Sequence, residues 1–271
     1  MNKNNLFQKL RDGKVVLGLS NSYPASGIID GMCPGWDFVW IDGQHGQHSY
    51  ESIFHAVQAA SSVSVDALIR VYTHESGNLC LYADLFPAAI MVPMVNSAAE
   101  ARAVVNGLYF PPLGNRSYGG RRIIDMNGRE YYKETELLVV AQIETLEAVD
   151  NAYDIINTEG VAALFFGPDD MKVRKGISIN TSISESKELR EAMEVTAQAA
   201  KKAGKFCGIV AANRKDFATA VNMGYQLIAV GGDSGFVRAG ASERLKEFRN
   251  EITEGAKIKV ESGKNSINSI Y

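Results

Sequence analysis

The residues of this chain best placed for proton or metal chemistry lie at the ends of apolar runs. Only four histidines occur, and two of them fall in "WDFVWIDGQHGQHSY", where an apolar run breaks into Asp42, Gln44, His45 and His48. Other runs end in the same way: Arg70 near the end of "DALIRVY", Gln142 and Glu144 in "LLVVAQIE", Asp169 and Asp170 after "VAALFFGP", and Asp233 after "QLIAVGG". Glu144 and Asp170, closing successive runs, suit a hard divalent cation, Mg2+ or Mn2+, that keeps waters for a substrate to replace. The competing arrangement pairs Glu144 with a basic residue and leaves Asp170 to cap the helix that follows. His45 has three readings: a metal ligand, a base working near neutral pH and held by Asp42, or a polar turn residue. His48 reads as the start of a helix and His55 as a helix-surface residue, and His74 also has a weaker claim than His45. Arg70 ends an apolar strand, where an unpaired guanidinium is costly, so it pairs with a carboxylate of the protein or of a ligand.

These residues need elements that bring them to one place. Strands are predicted at 15–21, 37–43, 66–72, 88–95, 137–144, 161–168, 205–212 and 226–232, each nearly continuous in Val, Ile, Leu and Ala. Continuous apolar strands are buried on both faces, as parallel strands covered by helices are. Helical spacing lies between them: Tyr50, Ile53, Phe54, Val57 and Ala60 share a stripe. Ser97 with Glu100 has the capping-box pattern, and "AAKKAG" ends a helix at Gly204. Eight such repeats predict a (β/α)8 TIM barrel, in which the C-terminal ends of the strands carry the active site. No GxGxxG follows any strand, which disfavours an open dinucleotide-binding sheet. Residues 109–134, rich in glycine, proline and arginine, read as a long loop or lid after the fourth strand.

The bulk composition excludes several classes. A hydrophobic fraction of 46% rules out a disordered chain, and a net charge of −3 argues against nucleic-acid binding. Three scattered cysteines without a CxxC pair suggest neither a disulfide framework nor a thiolate zinc site. No apolar run is long enough for a membrane span and the first residues lack a secretory core, so a cytoplasmic protein is expected. A single barrel domain over 1–271 is expected, with 246–271 a C-terminal helix or tail that reaches a neighbouring subunit.

Taken together, "DFVWIDGQH", "IRV", "MVPMVNSAAEARAVV", "FPPLGNRSYGG", "AQIET", "GVAALFFGPDDM" and "GYQLIAVGGD" resemble the HpcH/HpaI aldolases over residues 14–245. These are class II pyruvate aldolases of the 2,4-dihydroxyhept-2-enedioate and 2-dehydro-3-deoxyglucarate type. The resemblance implies a barrel of the phosphoenolpyruvate/pyruvate type and a metal-dependent carbon–carbon lyase. It puts the metal carboxylates on Glu144 and Asp170, the Asp–His pair on Asp42 and His45, and the carboxylate-binding arginine on Arg70. An aspartate contributed by a neighbouring subunit falls on Asp84 of "LYADL", and a homo-oligomer is implied, commonly a hexamer.

Two positions depart from the family's pattern. Gln44 stands where an acid is usual, and "LFPAA" replaces a usual glycine beside Asp84. The mechanism implied is cleavage or condensation of a 2-keto-4-hydroxy acid, giving pyruvate and an aldehyde through a cation-stabilised enolate. Mg2+ or Mn2+ would serve, with Co2+ a third candidate. Gln142 would lie beside pyruvate, and the helix start at Gly167, Pro168 and Asp169 would bind the substrate carboxylate. No lysine ends a strand, which disfavours a Schiff-base aldolase. The rivals are a citramalate- or malate-type lyase on the same barrel and a non-catalytic 2-keto-acid binding protein. "GRR" at 120–122 suggests an anionic aldehyde, with solvated loop charge as the alternative.

Overall fold

The computed structural model describes residues 4–133 and 136–253. Eight strands pair in parallel and in chain order, and the last closes on the first: β1 (Val16–Asn21), β2 (Phe38–Asp42), β3 (Asp66–Arg70), β4 (Ala89–Val92), β5 (Leu138–Ile143), β6 (Val161–Phe166), β7 (Phe206–Val210) and β8 (Leu227–Gly232). The helices before and between them are α1 (Asn5–Arg11), α2 (Ser26–Met32), α3 (Tyr50–Ser62), α4 (Ser76–Ala83), α5 (Ala98–Leu108), α6 (Arg121–Asn127), α7 (Leu146–Asp150), α8 (Ala152–Asn157), α9 (Pro168–Lys175), α10 (Lys187–Lys202) and α11 (Arg214–Met223); α12 (Asp233–Thr253) follows β8. This is the expected (β/α)8 barrel. The chain divides into a barrel unit, Met1–Ser234, and a second unit, Gly235–Tyr271, of which residues 254–271 lie outside the described ones. No helix among the described residues is long and apolar enough to cross a membrane.

Each predicted strand is found, but most stop one to three residues early at the C-terminal end. At β4 the reason is local. Pro93 has no N–H for a ladder, and Met94 takes a left-handed backbone with φ +57, so the apolar run 88–95 cannot stay extended.

Alternate strand residues point inward. Phe38 and Trp40 of β2, Leu68 of β3, Leu138 and Val140 of β5 and Phe165 of β6 belong to one buried cluster that fills the barrel. The large rings fit because small residues face them. A Cβ on Gly18 would lie 2.1 Å from the Phe38 ring, and one on Gly208 would lie 2.6 Å from Phe165. The same cluster contains Leu6 and Leu10 of α1, which stops the N-terminal end, or floor, of the barrel. Asn4 caps α1 by accepting from the Phe7 N–H at 2.9 Å, and its amide donates to the Ala88 carbonyl at 2.7 Å.

Outward-facing strand residues pack under the helices in a second cluster, with Ile53, Val57 and Ala60 of α3 in it and Phe54 packed against it. Tyr50, expected on that stripe, is exposed. Ser97 caps α5 by accepting from the Glu100 N–H at 3.2 Å, but Glu100 takes the Asn96 N–H at 2.6 Å rather than that of Ser97, so the capping box is displaced by one residue. Gly204 follows α10 in the left-handed region, as expected.

Of the 109–134 stretch, the described residues 109–133 form no lid over the mouth. They contain α6 and a 3-10 turn at Tyr131–Lys133. Arg116 binds Asp84 at 2.5 Å and Arg122 donates to the Leu85 carbonyl at 3.1 Å. Both partners follow α4, a helix that leads from the C-terminal end of β3 back to the start of β4, so the stretch is fastened toward the floor.

Candidate active site

The inward parity that fills the barrel continues to its mouth with polar residues. After Phe38 and Trp40 comes Asp42, after Leu68 comes Arg70, and after Leu138 and Val140 come Gln142 and then Glu144. Asp42 and Arg70 are direct partners in the β2–β3 register. The guanidinium uses Nε on one carboxylate oxygen at 2.9 Å and Nη2 on the other at 2.7 Å, a bidentate buried pair. Burial pushes the Asp42 carboxyl up, but Arg70 and two backbone N–H groups outweigh it and hold it below the usual range. Arg70 also lies over the Trp40 ring, 4.8 Å from its centroid. Its Nη1 has no acceptor among the described residues.

Of the alternatives open for Arg70, pairing with a protein carboxylate is therefore observed, with one amino group left over. That pairing changes the expected role of Asp42. Its carboxylate does not reach the His45 ring. It accepts instead from the backbone N–H of Gln44 and of His45, both at 3.1 Å, and so shapes the turn that carries them. Gly46 is required there, because a Cβ would lie 2.3 Å from the Asp42 carbonyl. The His45 side chain is left exposed at the mouth with no hydrogen bond among the described residues. His48 is tied into structure: Nδ1 lies 3.0 Å from Ser52 Oγ and Nε2 3.2 Å from the Asn21 carbonyl, and burial lowers its pKa. His55 lies on the helix surface, as expected.

Glu144, just past β5, is 2% exposed and accepts from the Met94 N–H at 3.0 Å. Burial first, and the Asp170 charge second, push its carboxyl up to about 7. The backbone before α9 passes so close that a Cβ on Gly167 would lie 2.6 Å from Glu144 Cγ. Pro168 opens α9, and Asp169 and Asp170 occupy its first turn. Asp169 points out to Lys172 at 3.1 Å and is exposed, whereas Asp170 is half-buried and forms no ion pair among the described residues.

Two carboxylates that repel one another, one of them buried, fit a divalent cation between them. The Gln142 amide oxygen, buried with no partner among the described residues, adds a further unsatisfied group at that mouth. Among the described residues no group of three or more His, Cys, Asp or Glu gathers, so an ion here would leave positions open to water or substrate.

Two other acidic residues stand apart. Asp84 follows α4 beside the floor, paired with the buried Arg116, so one chain does not bring it to its own mouth. Phe86, in the "LFPAA" departure, takes a left-handed φ of +60, the conformation that a glycine adopts freely. Asp233 is fully buried and accepts from Asn21 Nδ2 and from the N–H groups of Ser22 and Tyr23 at 2.9–3.0 Å, which makes it a tie for the loop after β1. The Met94 amide is the site group that sequence reasoning missed; Pro93 was its signal, because a proline inside a strand pattern marks the place where extended structure must end.

A parallel barrel with a carboxylate couple and a clamped arginine at the C-terminal ends of its strands has the layout of an enzyme of the barrel class. The chain belongs to the HpcH/HpaI aldolase/citrate lyase family, whose profile it matches over residues 22–239. It is 31% identical to a 4-hydroxy-2-oxovalerate aldolase of Novosphingobium aromaticivorans, over 92% of this chain and 96% of that one. It is 29% identical to a 4-hydroxy-2-oxo-heptane-1,7-dioate aldolase of Shigella flexneri, over 94% and 93%. The crystal structure of an HpcH/HpaI aldolase from Desulfitobacterium hafniense superposes with a TM-score of 0.81 at 28% identity, covering 90% of this chain and 96% of that one.

Proposed function

We propose that the chain catalyses the reversible aldol cleavage of a 2-keto-4-hydroxy acid to pyruvate and an aldehyde. The observation that carries this reading is the Glu144–Asp170 couple, without a counter-ion in contact among the described residues, at the same barrel mouth as Arg70. Glu144 and Asp170 would hold a divalent cation, Mg2+, Mn2+ or Co2+. When bound, such an ion supplies the positive charge that stabilises an enolate oxygen.

The remaining work falls to the chain's own groups. Arg70, fixed by Asp42 through Nε and Nη2, offers Nη1 to an oxygen of the keto acid. The backbone N–H of Asp169 and Asp170, in the first turn of α9 after Gly167 and Pro168, receive the substrate carboxylate, and the Gln142 amide lies beside the keto group. In cleavage His45 accepts the proton of the C4 hydroxyl through a water. The C3–C4 bond breaks, its electron pair passes to the enolate, and the aldehyde carbonyl forms. A proton returned to C3 gives the methyl group of pyruvate.

In this reading Asp84, which in its own chain lies by the floor, would complete the mouth of a neighbouring copy. We further propose a homo-oligomer, with a hexamer as the expected form and the described part of the 246–271 segment, residues 246–253, reaching the neighbour. Phe248 and Ile252 of α12, 58% and 70% exposed, support that contact. The test of the reaction is pyruvate in D2O with Mg2+ or Mn2+. Metal-dependent loss of the methyl proton signal, abolished by EDTA, is expected, and no exchange with any of these ions overturns the assignment.

A further inference from the structure

The aldehyde half of the substrate has no reader in the site so far. The relatives named above differ there: the name of one product-side chain ends uncharged, as an oxovalerate, and that of the other carries a second carboxylate, as a 1,7-dioate. The arginines first expected to meet an anionic aldehyde are engaged elsewhere. Arg121 pairs with Asp125 and Arg122 donates to the Leu85 carbonyl.

Another guanidinium does stand at the mouth. Arg174 lies on α9, one helical turn beyond Asp170, a spacing at which an acid and a base commonly pair. No ion pair joins them among the described residues. Arg174 instead reaches to the chain segment after β4, where its Nη2 lies 3.8 Å from Met94 Sδ. Because β5 lies between β4 and β6, that reach runs past the end of β5, close enough to Glu144 for its positive charge to act on that carboxylate. The side chain is exposed, and a thioether is a poor acceptor for a charged donor. Met94 is thereby shared: its N–H holds the Glu144 carboxylate and its sulfur seats Arg174.

We infer that Arg174 determines acceptor specificity by binding a carboxylate at the far end of the aldehyde, so that the chain prefers carboxylate-bearing short aldehydes over neutral ones. This rests on the aldolase reading above. It assigns the aldehyde side of the mouth to the edge between β4 and β6, with the keto acid held deeper, between Arg70 and Glu144.

The experiment measures kcat/KM for condensation of pyruvate with 4-oxobutanoate and with 4-methylpentanal, in which an isopropyl group replaces the carboxylate, using the full chain with Mn2+. The wild-type protein is expected to favour the charged acceptor by about tenfold or more, the scale of a charge-assisted hydrogen-bonded pair. Arg174→Met brings the ratio to near one, and Arg174→Lys leaves it between the two. Because each variant is judged by a ratio, a general loss of turnover cancels. A wild-type ratio of one or less, or a ratio that Arg174→Met leaves as it was, overturns the role of Arg174 while pyruvate exchange in D2O still stands. If the wild type exchanges no pyruvate protons and condenses neither aldehyde, the aldolase reading itself falls and the Arg174 assignment falls with it.

Discussion

The floor and the mouth of this barrel carry the same kinds of polar group and treat them differently. At the floor most are matched, with Arg116 Nε left without a partner among the described residues. Asp66 accepts the Leu6 N–H at 2.6 Å, Lys9 meets Asp37 at 2.6 Å, and the Asn4 amide donates to the Ala88 and Glu136 carbonyls. At the mouth the matching is deliberately incomplete. Arg70 keeps an amino group in reserve, the amide oxygens of Gln44 and Gln142 are buried without partners among the described residues, and Glu144 faces a second carboxylate. Buried polar groups left open cost stability, so their concentration at one end of the barrel marks where stability was given up for binding.

The sharpest break in this comparison comes from the carboxylates. Glu144→Gln and Asp170→Asn should each lower pyruvate proton exchange by about a thousandfold or more, since removal of a charge-stabilising group from an active site costs on that scale. Circular dichroism should show the fold retained, because the floor and the interior are untouched. A smaller but still large effect is expected from Arg70→Met. It leaves Asp42 buried and unpaired, at a cost of about 3 kcal/mol read from urea denaturation. Adding Asp42→Asn should restore most of that stability and none of the exchange, which separates the clamp's structural work from its chemical work.

Next in size is a pH effect in EDTA-treated protein. The Glu144 carboxyl is raised from 4.5 to about 7 in the folded chain, so the folded state holds its proton more tightly than the unfolded state does. Stability should be greatest below about 4.5 with respect to this group, fall as the pH rises toward 7, and change no further above it, by about 3 kcal/mol at most. Glu144→Gln should remove that slope, and an unaltered slope in the variant would assign it to another group. The smallest effect is expected away from the mouth. Ser64 sits at φ +59 just past α3, where glycine is the usual helix stop, and Ser64→Gly should stabilise by up to about 1 kcal/mol without touching activity. Met94→Gly relieves the same backbone strain at the mouth. It should disturb acceptor choice, because it removes the sulfur that seats Arg174.

Much of this architecture was legible from residues alone. Two-sided burial wrote all eight strands as apolar runs, and the inward parity of Asp42, Arg70, Gln142 and Glu144 follows once those strands are placed. Local pattern could not supply the distances between elements. That Asp42 would spend its carboxylate on Arg70 rather than on the His45 ring depends on the β2–β3 register, which no single segment encodes. The arginines at 116, 121 and 122 looked like a cationic lid because their partners, Asp84, Asp125 and the Leu85 carbonyl, become neighbours only when α6 folds and the stretch turns toward the floor. Arg174 drew no attention for the converse reason: on paper it is one base in a basic helix end, and only the reach to Met94 sets it over the site.

The stopper at the floor has a consequence for how the chain is made. Asn4 leaves the ribosome well before its partners, because its amide bonds carbonyls 84 and 132 positions further on. At synthesis rates of 5–20 residues per second, the second of these arrives roughly 7–26 s after Asn4. During that interval α1 is a seven-residue helix, too short to persist alone, with Leu6 and Leu10 and no barrel to enter. A helix synthesised ahead of the strands it stops is therefore among the later ones to be fastened.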